Sequence, residues 1–589
     1  MEKTFKPKIT TEKLSMDKKR FLLCILFLAL ALRMWGLDYG LPEILHADEP
    51  IVVNKALSYG MGDLNPHWFL LPPLTSYVLF FIYGIYFLIG KLIGIVYSAE
   101  EFRMLFLTDP TSFYLIGRFF LGVVPSVFSI WILYKISKEA SGSNNVGLGA
   151  SFFLAVNFLF VRDSHYIYAD MPRISMMLAS LYYIIKILKD CRLKNYIFAG
   201  MFLGIAVAFK YNSALLAVPF AISHFVSSER KGIVSADDKK LFYSFLVACG
   251  VYALLNPFSI IDFKTFIGGF LHQSSTMGSQ GWLHHLFYSL LNGFSMPLLA
   301  CSFLGIIVAL TARKKFFLVL FSYIIAEYVV LVFFSQPHAR YVLPLIPVLC
   351  YFAAYFLHKV SRVVPHVMTR KFWYAFICFI ISISTFAKTC YSNYIFSAGD
   401  TRLDARNWIN VNITKGTKIA LDHTFFGPKL MPDLDQLEEK IKIVEKENLP
   451  ESKKIRIKAL ETLVDKKGGY KLFFLKDEPS EEGEFLFARP QIPFDYNFLI
   501  DEEIEYIVVT KSVLKHEHDE FFEQLESNSE LIAEFNPYKD KTRKYSLNSQ
   551  VLTGGPFLDN EVFLRDKTGY TIQVFKLEKK KIKRRRWKR

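Results

Sequence analysis

Apolar runs of about 17 to 25 residues, the length needed to cross a hydrocarbon core, recur in this chain from Phe21 to Cys390 and then stop. Such a pattern demands a bilayer as solvent, and 589 residues with 52% hydrophobic side chains are too apolar for a soluble protein of this size. From Tyr391 onward the sequence is mixed, charged and turn-rich. Two unequal parts are therefore expected: a polytopic α-helical membrane domain over residues 21–390 and a C-terminal soluble α/β domain over residues 391–575. All seven cysteines lie at or before Cys390, so the soluble part cannot carry a disulfide framework.

Charge fixes the expected topology. Of the formal net charge of +16, much is terminal: between Lys576 and Arg589, ten Lys or Arg face only Glu578. A basic tail over residues 576–589 suits contact with membrane lipids, and nucleic acid is not an expected partner. Basic clusters mark cytoplasmic loops. Six occur: the N-terminus (residues 1–20), Lys135 with Lys138, Lys186 to Lys194, Arg230 to Lys240, Arg313 to Lys315, and Lys359 to Lys371. Eleven spans fit between them, from Phe21–Leu37 to Phe372–Cys390, and they leave the loop 38–70 and the C-terminal domain outside. Leu71 to Tyr97 is apolar as well, but the acidic Glu100, Glu101 and Asp109 beyond it fall on the wrong side, which suggests a pair of short helices or a re-entrant element. The expected total is about 11–13 transmembrane helices. In the soluble part, Lys418 to Leu421, Tyr506 to Thr510 and Thr571 to Phe575 read as strands, and Asp400 to Asn410 and Asp433 to Glu447 as helices.

The loop after the first span carries His46-Ala47-Asp48-Glu49-Pro50. Two adjacent carboxylates at a bilayer surface cost free energy unless they are solvated, paired or used. Asp48 also suits a helix cap, with Pro50 in the first turn, and a capping carboxylate stays anionic, so the two readings coexist. Lys210, at a break between two short spans, must face protein or water. Arg340 reads equally as an interfacial anchor beside Tyr341, and Asp170 as a surface ion pair with Arg162 or Arg173. His272, His284 and His285 match no closed zinc site, so no metal is expected, and Glu327 inside a span has no evident partner.

The string His46-Ala47-Asp48-Glu49-Pro50, followed by Gly62-Asp63-Leu64-Asn65-Pro66-His67-Trp68-Phe69 and Pro72-Pro73-Leu74-Thr75-Ser76-Tyr77, resembles the first external loop of the GT-C membrane glycosyltransferases. Within them it is similar to the branch of the protein O-mannosyltransferases and the lipid A aminoarabinose transferases. Ser164-His165-Tyr166-Ile167-Tyr168-Ala169-Asp170-Met171-Pro172, Gly204-Ile205-Ala206-Val207-Ala208-Phe209-Lys210-Tyr211-Asn212 and His338-Ala339-Arg340-Tyr341-Val342-Leu343-Pro344 extend the match over the membrane part. The inserted sugar-binding-type domain of the protein mannosyltransferases has no counterpart.

The resemblance implies a polyprenyl-phosphate-sugar donor, attacked at its anomeric carbon by an acceptor hydroxyl on the non-cytoplasmic face, with inversion. Such chemistry needs a base for the hydroxyl proton and positive charge for the departing phosphate. Asp48 matches the family's catalytic carboxylate, with Glu49 orienting it or binding acceptor. Lys210 and Arg340 are the candidate cations for the phosphate, with His338, Tyr341 and Asp170 as further candidates for binding the donor. The acceptor is a protein, lipid or glycan, and no cofactor is implied. A secondary transporter or lipid flippase is the other class that many spans, broken helices and intramembrane charges allow.

Overall fold

The computed structural model describes residues 16–578 except 47, 228–235, 276–281, 313, 332–337, 423–425, 447–456, 458–459, 463, 466, 477–489, 512–517 and 543–559. The basic ends of the chain, residues 1–15 and 579–589, therefore lie outside it.

The N-terminal part is helical throughout. Helix α1 (Met16–Met34) has Asp17 in its first turn and Arg33 in its last, the charge order that suits a helix dipole. Arg33 is not interfacial: it is fully buried and donates to Ser126 Oγ at 2.6 Å and to the Ala29 and Ala155 carbonyls at 2.9 and 3.0 Å. The external loop expected over residues 38–70 contains a helix of its own, α2 (Glu49–Ser58), which packs against α3 (Leu74–Leu92).

Two short helices or a re-entrant pair do not form after Leu71. Helix α3 is one unbroken 19-residue element. The acidic stretch beyond it is an amphipathic helix, Ala99–Thr108, closed by a reciprocal cap: Ser98 Oγ accepts from Glu101 N at 3.1 Å and Glu101 returns to Tyr97 N at 2.7 Å. The following helix, Thr111–Ser141, then starts against the middle of α3, where Tyr83 donates to the Phe113 carbonyl and Tyr86 bonds to Ser112.

Among the described residues three helices are long and apolar enough to cross a membrane, or up to five if each of two bent pairs is one span. The shortfall from eleven to thirteen has a physical reason. Several expected spans carry charge in their first turns, as Asp170 and Arg173 do in Asp170–Ile187 and Asp238, Lys239 and Lys240 in Ala236–Leu255. Others, such as Leu193–Phe209 and Leu345–Ser361, are 17 residues long.

After Cys390 the last long helix, Val367–Ser397, continues past the expected boundary. It ends at Gly399, whose φ of +96° is a left-handed conformation open to glycine. Asp400 then caps Thr401–Asn412, its Oδ1 accepting from Arg402 N at 2.9 Å.

The C-terminal part is built on a six-stranded sheet: β1 (Lys418–Leu421), β2 (Lys471–Leu475), β3 (Gln491–Ile492), β4 (Tyr506–Thr510), β5 (Ser529–Phe535) and β6 (Ile572–Leu577), in the order β3-β2-β1-β4-β6-β5. The first four strands run parallel, and β6 and β5 complete the sheet antiparallel. Helix Leu434–Lys446 lies between β1 and β2 in the chain, as parallel neighbours require. Strands β1 and β4 are buried on both faces, so they read as continuous apolar runs rather than alternating ones.

Candidate functional site

One cavity of about 510 Å³ gathers Asp48, Asp170, Lys210, His338, Arg340 and Tyr341 from four separate stretches of chain. Each reaches it through a break in helical structure. Asp48 occupies the N-cap position of α2, with Pro50 in the first turn, but its side chain makes no capping hydrogen bond. The carboxylate is thereby free to turn elsewhere. Asp170 begins a helix, Lys210 ends one in an extended conformation (φ −159°), and Arg340 and Tyr341 sit in the 3₁₀ turn Ala339–Val342.

The loop leading to Asp170 is pressed close by a π turn, Phe119–Val123. Here Gly122 is obligatory, because a Cβ would stand 2.1 Å from the Ser164 carbonyl oxygen.

Two acid–base pairs line the cavity. Arg340 Nη1 lies 3.1 Å from Asp48 Oδ2, and Lys210 Nζ lies 2.9 Å from Asp170 Oδ1. The Tyr168 hydroxyl donates to Asp48 Oδ2 and accepts from Arg340 Nη1 at 2.5 Å. The Arg340 guanidinium also covers the Tyr168 ring, 4.6 Å from its centroid. Burial opposes the charge on Asp48, but Arg340 and the Tyr168 hydroxyl outweigh it and hold the carboxyl below its ordinary value. His338, edge-on to Tyr341, is pushed down to about 4 by burial and by Arg340, so it is neutral near pH 7.

Behind Asp170 the charges continue, with Arg173 Nη1 at 3.6 Å and Arg173 Nη2 in turn 3.1 Å from Glu327 Oε2. That is the partner Glu327 lacked in the sequence. Asp170 is thus no surface pair but a buried carboxylate held between Lys210 and Arg173, while Arg162 pairs with Asp163 instead.

Glu49 is not in the cavity. It is fully buried and gripped by Arg118, whose Nε and Nη2 donate to its two oxygens at 2.9 and 2.7 Å, while Ile167 N donates to Oε1 at 3.0 Å. Buried behind the cavity wall, it is out of an acceptor's reach, and its influence on Asp48 passes through the backbone.

Sequence reasoning missed Tyr168, Arg118 and Lys55, a third cation on the cavity wall. Arg118 had a signal: a guanidinium inside an apolar run requires a buried partner. Among the described residues no cluster of three His, Cys, Asp or Glu could hold a metal ion. His285 instead bonds to Ser289 Oγ at 3.1 Å.

Such a fold and cavity define a polytopic membrane protein whose polar site, two acids each held by a cation, is assembled at helix ends. Residues 112–256, which contain Tyr168, Asp170 and Lys210, match the family model described as dolichyl-phosphate-mannose-protein mannosyltransferase. No curated protein matches the sequence. Among solved structures, the chain is similar to ArnT from Cupriavidus metallidurans in the apo state (TM-score 0.52, 12% identity, 94% of this chain and 98% of that one). Its likeness to the same protein bound to undecaprenyl phosphate has a TM-score of 0.51 at 12% identity, over 87% and 96% of the two chains. The Archaeoglobus fulgidus oligosaccharyltransferase in the apo form gives 0.49 at 12% identity, over 84% and 69%. The family match covers residues 112–256 alone, and the likeness to ArnT is one of fold along nearly the whole chain.

Proposed function

We propose that the chain transfers a sugar from a polyprenyl-phosphate-linked donor to an acceptor hydroxyl, with inversion, on the non-cytoplasmic face of the membrane. The observation that carries this reading is the pairing of Asp48 with Arg340, 292 residues apart, on the wall of one cavity that also holds Lys210. Asp48 takes the acceptor's proton. The acceptor oxygen bonds to the anomeric carbon as the bond from that carbon to the phosphate oxygen breaks, and the lipid phosphate departs with the electron pair. Arg340 and Lys210 meet the charge that develops on it, work that a fixed cation does best in a water-poor site.

Both cations are pre-seated by carboxylates, so phosphate enters by competing for groups already in place rather than by ordering mobile ones. Leu71, Trp68 and Phe270 give the cavity an apolar wall suited to an isoprenoid chain, and the solved ArnT structure bound to undecaprenyl phosphate supports a donor of that kind. Thr75 Oγ1 and Asn212 Oδ1 belong to cavity-lining residues and are buried without a hydrogen-bond partner among the described residues. A sugar hydroxyl would satisfy either one. The transporter alternative draws no support from a family match that is to a transferase.

The test is incubation of the purified chain in lipid with a panel of labelled polyprenyl-phosphate sugars and hydroxyl acceptors. One donor should be consumed by the wild type, and Asp48→Asn and Lys210→Ala should lose transfer while still folding and inserting. Transfer by Asp48→Asn at the wild-type rate would remove the base from the proposal.

A further inference from the structure

We propose that Tyr168 is a positioning residue of the transfer reaction: its hydroxyl keeps hold of one Asp48 oxygen when Arg340 turns to the donor phosphate, so that the other oxygen stays aimed into the cavity. The inference rests on the reading of Asp48 as the base.

Three groups converge on the Tyr168 oxygen. The backbone N–H of Asp48 donates to His46 Nδ1 at 3.2 Å, so that nitrogen bears a lone pair and the ring hydrogen sits on Nε2. His46 Nε2 is 3.3 Å from the Tyr168 oxygen and faces it as a donor. Arg340 Nη1 donates to the same oxygen at 2.5 Å. Both lone pairs are then occupied, and the phenolic hydrogen goes to Asp48 Oδ2. With its single hydrogen committed to Asp48, the hydroxyl has no donation left for substrate, even after Arg340 has turned away. Hence Tyr168 acts through Asp48 rather than on the sugar.

The geometry also separates the two oxygens of Asp48. Tyr168 and Arg340 both engage Oδ2, and Oδ1 receives no donor among the described residues. Arg340 has two claims on it, since the phosphate that it is to bind must draw it from Asp48. If Arg340 were the sole anchor, donor binding would release the base to rotate as the acceptor arrived. Tyr168 has a hold besides Arg340: its ring lies edge-on to His46 at 5.1 Å, and its side chain is partly buried. The charged and titratable groups facing Asp48 are Arg340 from the 3₁₀ turn, Tyr168 from the loop before Asp170, and His46 from its own loop, neutral because burial pushes it down to about 4. With the donor bound, the hydroxyl of Tyr168 is the remaining group that favours ionised Asp48.

Tyr168→Phe keeps the ring beneath Arg340 and removes the hydroxyl. In the full chain in lipid, with the donor found by the panel above, kcat should fall on the order of 10- to 100-fold, the effect of losing one hydrogen bond to a charged group. Donor KM should stay unchanged within error. The acid limb of the kcat profile should move to higher pH, because the base has lost a donor that favoured its ionised form; a merely structural role would not move it. Asp48→Asn is run alongside. If Asp48→Asn transfers normally, the base reading falls and Tyr168 falls with it. If Asp48→Asn is dead while Tyr168→Phe keeps the wild-type kcat and acid limb, the base reading stands and the positioning role is overturned. Should Tyr168→Phe melt early, difluorotyrosine at position 168 decides: a stronger donor of the same shape must move the limb to lower pH, and an unmoved limb refutes the inference.

Discussion

Glu49→Gln is the sharpest probe of how Asp48 is held. Glu49 touches nothing in the cavity, yet it is the residue after Asp48 and anchors the start of α2 to Arg118 and to the backbone of Ile167. Gln preserves the shape and one carbonyl oxygen, but it turns an NH₂ group toward a guanidinium nitrogen that lay 2.7 Å from Oε2. Arg118 is left as a buried cation faced by neutral acceptors, the retained side-chain oxygen and the Leu37 and Tyr39 carbonyls, each carbonyl at 2.7 Å. Breaking a fully buried pair in this way costs about 3–5 kcal/mol. Spread over an unfolding entropy of about 2.1 cal/mol/K per residue and 589 residues, that lowers the melting temperature by roughly 2–4 °C. The kinetic effect is larger, since a displacement of about 1 Å at a reacting group can cost on the order of 100-fold in rate. Thermal unfolding in detergent and sugar transfer are measured on Glu49→Gln, Arg118→Met and the double variant. Because removal of either partner strands the other, the double variant should be less destabilised than the sum of the singles. A Glu49→Gln protein that melts and transfers like the wild type, or a strictly additive cycle, would refute the reasoning.

Arg340→Ala should weaken donor binding by roughly 30-fold or more, as truncation of a charged hydrogen-bond partner typically does, with insertion unaffected; unchanged donor affinity in a lipid-binding assay would count against the phosphate role. Asp422, at the end of β1, is fully buried, accepts from Thr510 N at 2.5 Å, and is pushed up to about 7 by burial. The folded state therefore holds its proton more tightly than the unfolded chain, so this contribution to stability is complete below about pH 4 and is lost as pH rises through about 7. Asp422→Asn should flatten that dependence between pH 5 and 8, and parallel melting curves for the two proteins would exclude it. Protease added to sealed, right-side-out cells should cleave the sheet domain, whereas complete protection would reverse the proposed topology.

Much of this arrangement was legible in the sequence as parts and little of it as pairs. Apolar runs announce spans because a bilayer core leaves few alternatives to helix, and β1 and β4 announce themselves as buried strands by composition. The string around Asp48 marks a site because adjacent carboxylates at a membrane surface need a reason. Pairing is another matter: Asp48 meets Arg340 across 292 residues and Arg173 meets Glu327 across 154, distances over which a single sequence carries no local signal. Tyr168 was hidden for a different reason. Its proposed role depends on the tautomer of His46 and on which Asp48 oxygen it engages, and these are properties of geometry alone.

The sheet domain is joined to this same geometry. Arg402, buried and paired with Asp400 at 2.8 Å, donates from the C-terminal part of the chain to Tyr39 Oη at 3.3 Å and to the Leu45 carbonyl at 3.4 Å. Lys429 donates to the Glu43 and Ile44 carbonyls, each at 2.8 Å, and Arg406 pairs with Glu43. From the membrane side, Arg118 holds the Leu37 and Tyr39 carbonyls. The stretch that leads into His46 and Asp48 is thus gripped from both parts of the molecule, by cations that use backbone carbonyls as handles. Loops usually carry the mobility of a protein, and the proposed base, which has to keep its aim while Arg340 turns to the donor, needs a loop that does not. Removing the Arg402 grip should therefore act on sugar transfer through Asp48, even though Arg402 follows it by more than 350 residues in the chain.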